Sequence, residues 1–325
     1  MASPPITSTV ILEAVELTLR NIVFLSHEAT ASWGSTLLRG RLMAKLVAEF
    51  YAPRGIDVSF SEAPAQRDSI VILTKGFLLK SCSDDLLRLK EQGNILIADY
   101  VDHPENPELV EIFDALIASS HKQTAAYRAA YPHKRTVHVT HLVDTRIRTV
   151  PPQKHAFRVG YFGGLHNAKH RADLAAHVQF HESGSDLSQW IRELPLYNCH
   201  YAVRQNNPWD GFKPFTKGFL AARCQSPIII VASDGDAAHY LGGEYPYLLV
   251  SDHLSDIIEM VERAATDFGG PRWQLALAIM SDIAKASSDT VVLAEFDTLV
   301  REYMPLRQSF WATPRRLLSR LLRSA

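Results

Sequence analysis

The sequence predicts an α/β protein of two halves, each a parallel sheet with helices on its faces, meeting across a central cleft. Three observations carry this expectation. The chain has 325 residues, roughly the length of two average domains. Short apolar runs alternate with amphipathic segments in both halves, the pattern of strands joined by helical crossovers. The alternation pauses once, at 145–156 (TRIRTVPPQKHA), where a Pro-Pro pair in polar surroundings reads as a linker, because proline cannot enter a sheet interior.

In the first half, 1–150, residues 21–26 (NIVFLS) read as the opening strand and 37–51 as an amphipathic helix. Further strands are expected at 57–60, 69–73, 94–98, 115–119 and 137–140, with helices at 83–92, 107–113 and 121–131. Runs such as SIVIL and NILIA show no polar alternation, so both faces of their sheet must be covered. The second half, 151–305, restarts with a strand at 157–162, a helix at 168–177 and a strand at 178–182. A helix at 187–194, a strand at 200–204, a helix at 215–224 and strands at 228–232 and 247–251 follow. Helices over 254–267 and 273–303 close it.

The last segment, 306–325, reads as a basic amphipathic helix. Phe310, Leu317, Leu318, Leu321 and Leu322 share one face, and Arg316, Arg320 and Arg323 lie opposite. It is either an interfacial helix drawn to an anionic membrane surface or a helix docked across the two halves.

A formal net charge of -1 argues against bulk electrostatic capture of nucleic acid, so no nucleic-acid partner is expected. Cys82, Cys199 and Cys224 are far apart and without zinc-ligand spacing, which fits reduced thiols in the cytoplasm. No run reaches the 18 or so apolar residues a membrane span needs, and the start lacks a basic stretch before its apolar part. The expected location is cytoplasmic, with peripheral attachment to the inner face of the plasma membrane through the last helix as an option.

The most informative stretch is 206–231 (NNPWDGFKPFTKGFLAARCQSPIIIV). A loop feeding a helix N-terminus beside a buried strand is where open α/β sheets bind phosphorylated ligands. Lys213 and Lys217, four residues apart, would share a helix face and clamp a diphosphate there, with Arg204 as a third cation. The ordinary alternative for two lysines is a solvated helix face. However, Lys213-Pro214 at a helix start places a cation where only a bound anion favours it. Gly163-Gly164 follows a predicted strand and would let backbone approach a ligand, though a plain tight turn reads the same way. The GxGxxG fingerprint is absent, so no NAD is expected.

Asp99 and His103 follow the strand at 94–98 in DYVDHPENPE, at the end of a strand that should face the cleft. They are candidates for the reacting centre, His103 first. Asp102, between them, reads as a turn or helix-cap residue. His27 and Glu28, after the first strand, are candidates for contacting an acceptor. Asp234 and Asp236 spell an Asp-x-Asp motif. Their place between a strand and a helix suits an N-cap better than a metal site, so no metal is expected, while Asp234 remains a candidate donor contact. Trp209 and Phe212 would either stack on a base or sugar or pack at the rim.

Four segments together resemble the GT-B glycosyltransferases, in particular the glycogen-synthase-like branch. They are 32–58, 159–169 (VGYFGGLHNAK), 213–230 (KPFTKGFLAARCQSPIII) and 231–250. The resemblance implies two Rossmann-like domains, an N-terminal one for the acceptor and a C-terminal one for a nucleotide sugar, the donor being a substrate and no further cofactor being needed. It also implies a histidine near 103 contacting the donor sugar. One departure stands out: the branch's two glutamates, eight residues apart, would fall on Phe212 and Leu220. The expected function is sugar transfer from a nucleotide sugar to a glycan or lipid-linked acceptor, in bacterial surface polysaccharide synthesis. The alternatives are a nucleotide-sugar epimerase on the same scaffold and a non-catalytic sugar- or partner-binding protein.

Overall fold

A computed structural model of the chain describes residues 21–149, 151–183, 188–205 and 210–304. Six parallel strands form the first sheet: β1 (Asn21–Leu25), β2 (Asp57–Ser61), β3 (Ser69–Thr74), β4 (Ile95–Asp99), β5 (Ala115–Ala118) and β6 (Arg135–His138). Their order is β2-β1-β3-β4-β5-β6. Five more, β7 (Val159–Gly163), β8 (Val178–Glu182), β9 (Cys199–Tyr201), β10 (Ile228–Val231) and β11 (Leu248–Leu249), form a second parallel sheet in the order β11-β10-β9-β7-β8. This is the expected GT-B arrangement of two Rossmann-like sheets.

The helices of the first half are α1 (Met43–Tyr51), α2 (Lys75–Leu78), α3 (Ser83–Glu91) and α4 (His121–Ala130). Those of the second are α5 (Ser188–Glu193), α6 (Thr216–Arg223), α7 (Ala237–Leu241), α8 (Leu254–Asp267), α9 (Pro271–Ala286) and α10 (Asp289–Val300). The uninterrupted apolar runs have the predicted cause. In β3, Ile70 and Ile72 enter the core on one face of the sheet, and Val71 and Leu73 enter a separate core on the other.

One helix crosses between the halves. Val292, Phe296, Leu299 and Val300 of α10 are buried in the first sheet's core, although they follow the second sheet in sequence. Phe296 stacks on Phe24 with ring centres 5.6 Å apart, and the Tyr51 hydroxyl donates to Asp297 Oδ1 at 2.6 Å. The single helix expected at 273–303 is therefore two, broken at Ser287-Ser288, where the Ser288 hydroxyl caps α10 by accepting from the Val291 amide.

The helix expected at 168–177 is absent; those residues form turns. His170 adopts φ +54, and the backbone pairs sideways instead: Lys169 N donates to Val203 O, and Ala168 bridges Arg204. Tertiary pairing here overrides helix propensity. At 107–113 only a 3-10 turn, Val110–Ile112, forms. The strand expected at 137–140 is shifted two residues earlier, to β6. The helix expected from residue 37 opens with a π-helical stretch, Thr36–Leu42, before α1 begins. The basic segment at 306–325 and Trp209 lie outside the described residues.

Candidate functional site

Between the two sheets lies a cavity of about 530 Å³, lined from both halves. The first half contributes the loop after β1 (Trp33, Gly34, Ser35), Lys75 after β3, Val101 and Asp102 after β4, and His141 after β6. From the second come Gly163 at the end of β7, Arg204 after β9, Asp234 after β10, and residues 213–217 at the start of α6. Each lies at or just beyond the carboxyl end of a parallel strand or at a helix start, the geometry that gives α/β sheets their ligand sites.

Lys217 occupies the first turn of α6. Its Nζ is buried without a hydrogen-bond partner and lies 3.5 Å from the centre of the Tyr161 ring. The ring is held by its hydroxyl, which donates to Gly164 O at 2.9 Å. Burial depresses the ammonium pKa from 10.5 to about 7; Asp234 opposes this, and Arg204 and Lys213 add to it. An unpaired ammonium facing a cavity is costly unless an anion arrives. Gly163 makes room for it, since a Cβ there would sit 2.9 Å from Lys217 Nζ and 3.1 Å from the Tyr161 hydroxyl.

Lys213 sits three residues ahead of α6. The two lysines therefore reach the cavity from a loop and from a first helical turn, not along one helix face as the spacing suggested. Lys213 Nζ crosses the cleft to donate to Asp102 Oδ2 at 2.5 Å, and Lys75 Nζ donates to Asp102 Oδ1 at 2.5 Å. Burial by itself would raise the Asp102 carboxyl, but Lys213 and Lys75 outweigh it and hold the group well below the usual carboxylate range. Arg204 grips Asp234 in a two-point pair, Nε to Oδ2 and Nη2 to Oδ1, both 2.8 Å. Gly163, Gly164, Arg204, Lys213, Lys217 and Asp234 thus all border one cavity.

The other candidates are placed differently. Asp99 is 2% exposed and paired at 2.8 Å with Arg39, itself 2% exposed. Arg39 also donates to the Val139 and Thr140 carbonyls, so this pair ties the π-helical stretch to the ends of β4 and β6. His103 does not line the cavity; its Nδ1 lies 2.7 Å from the Pro104 carbonyl oxygen. His27 accepts from the Ala29 amide and caps a 3-10 turn that starts at Glu28, also away from the cavity. Asp236 does not cap its own helix. Its carboxylate crosses to the first half and accepts from the His121 amide at 2.6 Å and the Lys122 amide at 3.3 Å, capping α4.

Sequence reasoning passed over Lys75, Tyr161 and His141, and read Asp102 as a turn or cap residue. A usable signal existed for Lys75 and Asp102, because both follow buried strands at their carboxyl ends. His141 had none, since the apolar run VHVT does not show where β6 stops. The residue is 4% exposed, and burial followed by Arg39 lowers its pKa to about 3. Among the described residues, no group of three or more His, Cys, Asp or Glu is arranged to hold a metal. No described helix is long and apolar enough to cross a membrane.

No protein-family model and no curated protein matches the chain. Solved structures do. A glycosyltransferase from Rickettsia africae matches with TM-score 0.61 at 10% identity, over 87% of this chain and 98% of that one. HepE from Anabaena, solved with UDP and glucose, matches with TM-score 0.57 at 11% identity, over 87% of this chain and 100% of that one. The GtfA/B complex matches with TM-score 0.51 at 15% identity over 80% of this chain, which spans only 60% of its partner in that comparison. At these identities the likeness establishes the GT-B fold.

Proposed function

We propose that the chain is a glycosyltransferase that moves a sugar from a nucleotide-sugar donor to a glycan or lipid-linked acceptor, in the making of bacterial surface polysaccharide. One observation carries the reading: the buried, unpartnered Lys217 ammonium at the start of α6, with Lys213 beside it in an interlobe cavity. A diphosphate fits this arrangement, because its charge satisfies Lys217 and meets the positive end of the helix. In transfer, the same groups stabilise the charge left on the departing diphosphate, which makes the reaction metal-independent. The fold shared with HepE, a protein solved with UDP and glucose, supports a uridine nucleotide as the first donor to test. The second sheet and α6 would hold the donor, and the first half the acceptor. If 306–325 binds an anionic membrane, it brings the site to a lipid-linked acceptor.

The test is a thermal-shift screen with nucleoside diphosphates and nucleotide sugars, since a ligand that binds only the folded chain raises its apparent stability. At least one diphosphate should stabilise the protein, and Lys213→Ala with Lys217→Ala should abolish the shift. No stabilisation by any of them would reject the reading.

A further inference from the structure

The wall of the cavity beside the cationic clamp is apolar. Phe162 directly precedes Gly163 in β7, and Leu220 stands three residues beyond Lys217 in α6, close to one turn along the same face. Both line the cavity, as do Ile147 and Trp190, and the four pack within one hydrophobic cluster. The rings of Phe162 and Trp190 have centres 6.2 Å apart. Contacts to further side chains hold the wall in place: Phe162 stacks on His181 at 5.1 Å, and His181 Nε2 lies 2.8 Å from the Tyr197 hydroxyl.

This wall carries a single polar side-chain atom, the Trp190 indole nitrogen. The residue is 7% exposed, and its N–H is buried without a hydrogen-bond partner. An indole can only donate. The three carboxylates that line the cavity each answer a cation: Asp102 meets Lys75 and Lys213, Asp144 meets Arg146, and Asp234 meets Arg204. A sugar ring lying on Phe162, Trp190 and Leu220 therefore finds one hydrogen-bond donor and no hydrogen-bond acceptor in the wall. A hydroxyl pressed on such a surface loses water without replacement, whereas a methyl or methylene group gains from the same burial.

A nucleotide sugar carries two rings next to its diphosphate, the sugar of the nucleoside and the sugar to be transferred. We propose that the ring covering the wall of Ile147, Phe162, Trp190 and Leu220 is a deoxy sugar, either the deoxyribose of the donor nucleotide or a transferred 6-deoxyhexose. The inference rests on the function proposed above and narrows its donor. Three of the four wall residues come from the second half, on the same elements as the clamp or on α5, so the wall belongs with the donor.

The test compares matched ligands on the full wild-type chain by calorimetry. One arm sets dUDP, dADP, dGDP and dCDP against UDP, ADP, GDP and CDP. The other sets UDP-6-deoxyglucose and GDP-6-deoxymannose against UDP-glucose and GDP-mannose. In one arm the deoxy member should bind about tenfold tighter or more, the discrimination an apolar site exerts against an added hydroxyl. A preference in the first arm puts deoxyribose on the wall, and one in the second puts the methyl of the transferred sugar there. Equal binding in both arms, or tighter binding of the hydroxylated members, overturns the proposal. Failure of every diphosphate to bind would instead reject the function on which it rests.

Leu220→Gln places an amide on the wall, a donor and an acceptor at once. The ratio within the responsive pair should then fall to about one, and an unchanged ratio would overturn the assignment to this wall. Should that variant not fold, Trp190→Phe removes the lone N–H and keeps an aromatic face. The preferred ligand should bind it about fivefold more weakly, and undiminished affinity would overturn the assignment equally.

Discussion

The Lys217 ammonium lies 3.5 Å from the centre of the Tyr161 ring, buried and with no hydrogen-bond acceptor. The ring face offers partial compensation by cation–π attraction, but less than water or a carboxylate would. The consequence is a lysine whose charge is poised near neutral pH. That poise makes ligand binding readable as proton uptake. At pH 8 most of the free protein has a neutral Lys217, and a bound diphosphate should restore the ammonium. Calorimetry in buffers of different ionisation enthalpy should then show uptake approaching one proton. The uptake should vanish below about pH 6, where Lys217 is already charged, and also in Lys217→Met.

The same group sets a stability trend. Between about pH 7 and 10.5 the unfolded chain carries a proton at this position that the folded chain lacks, so stability contributed here rises with pH. The penalty is fully present below pH 7. Lys217→Met should therefore stabilise the protein at pH 6, by an amount on the order of a few kcal/mol, and have little effect near pH 10. Urea denaturation at the two pH values checks this.

Gly163→Ala places a methyl group 2.9 Å from Lys217 Nζ and 3.1 Å from the Tyr161 hydroxyl. The flexible lysine tip must yield, so the ammonium leaves its position while the fold remains. Nucleotide affinity should drop about tenfold with only a small change in melting temperature. An unchanged affinity would separate the glycine from the site.

Asp99→Asn tests the buried strut at the end of β4. Both members of the Arg39–Asp99 pair are 2% exposed, so neutralising one leaves a buried guanidinium without its carboxylate, held only by the Val139 and Thr140 carbonyls. The expected loss of stability is about 3 kcal/mol, measured by chemical denaturation.

Acid should loosen the contact between the halves. The rings of His121 and His239 lie 3.8 Å apart across it, and His138 stacks on His121 at 4.4 Å. Burial, followed by the His121 and Arg39 charges, lowers His138 to about 4. Its contribution to stability is present above pH 6.5 and is lost as pH falls towards 4, because the unfolded chain binds the proton first. His138→Gln should flatten the stability curve between pH 4 and 6.5.

Both sheets could be read from the sequence because their strands are buried on both faces, which leaves long apolar runs such as SIVIL and NILIA with no competing period. The helix misread at 168–177 fails for a related reason. Its composition favours a helix, but the backbone of its first two residues, 168 and 169, pairs with 204 and 203, more than thirty positions away, and local propensity cannot register that. Likewise, nothing near Asp289–Val300 announces that this helix returns to the first core; its apolar face would suit either.

At the site, the lysine pair before an apolar strand was visible as local chemistry: two cations, a proline and a helix start within five residues. Which carboxylate would answer them was not. Asp99 and Asp102 stand three apart in one turn with Val101 at positive φ between them, and the first meets Arg39 while the second meets Lys75 and Lys213. The sequence alone determined the layered sheets and the cationic loop, since each depends on neighbours along the chain. The tertiary structure alone decided which charges meet across the cleft, because ion pairing depends on distances between segments that folding brings together.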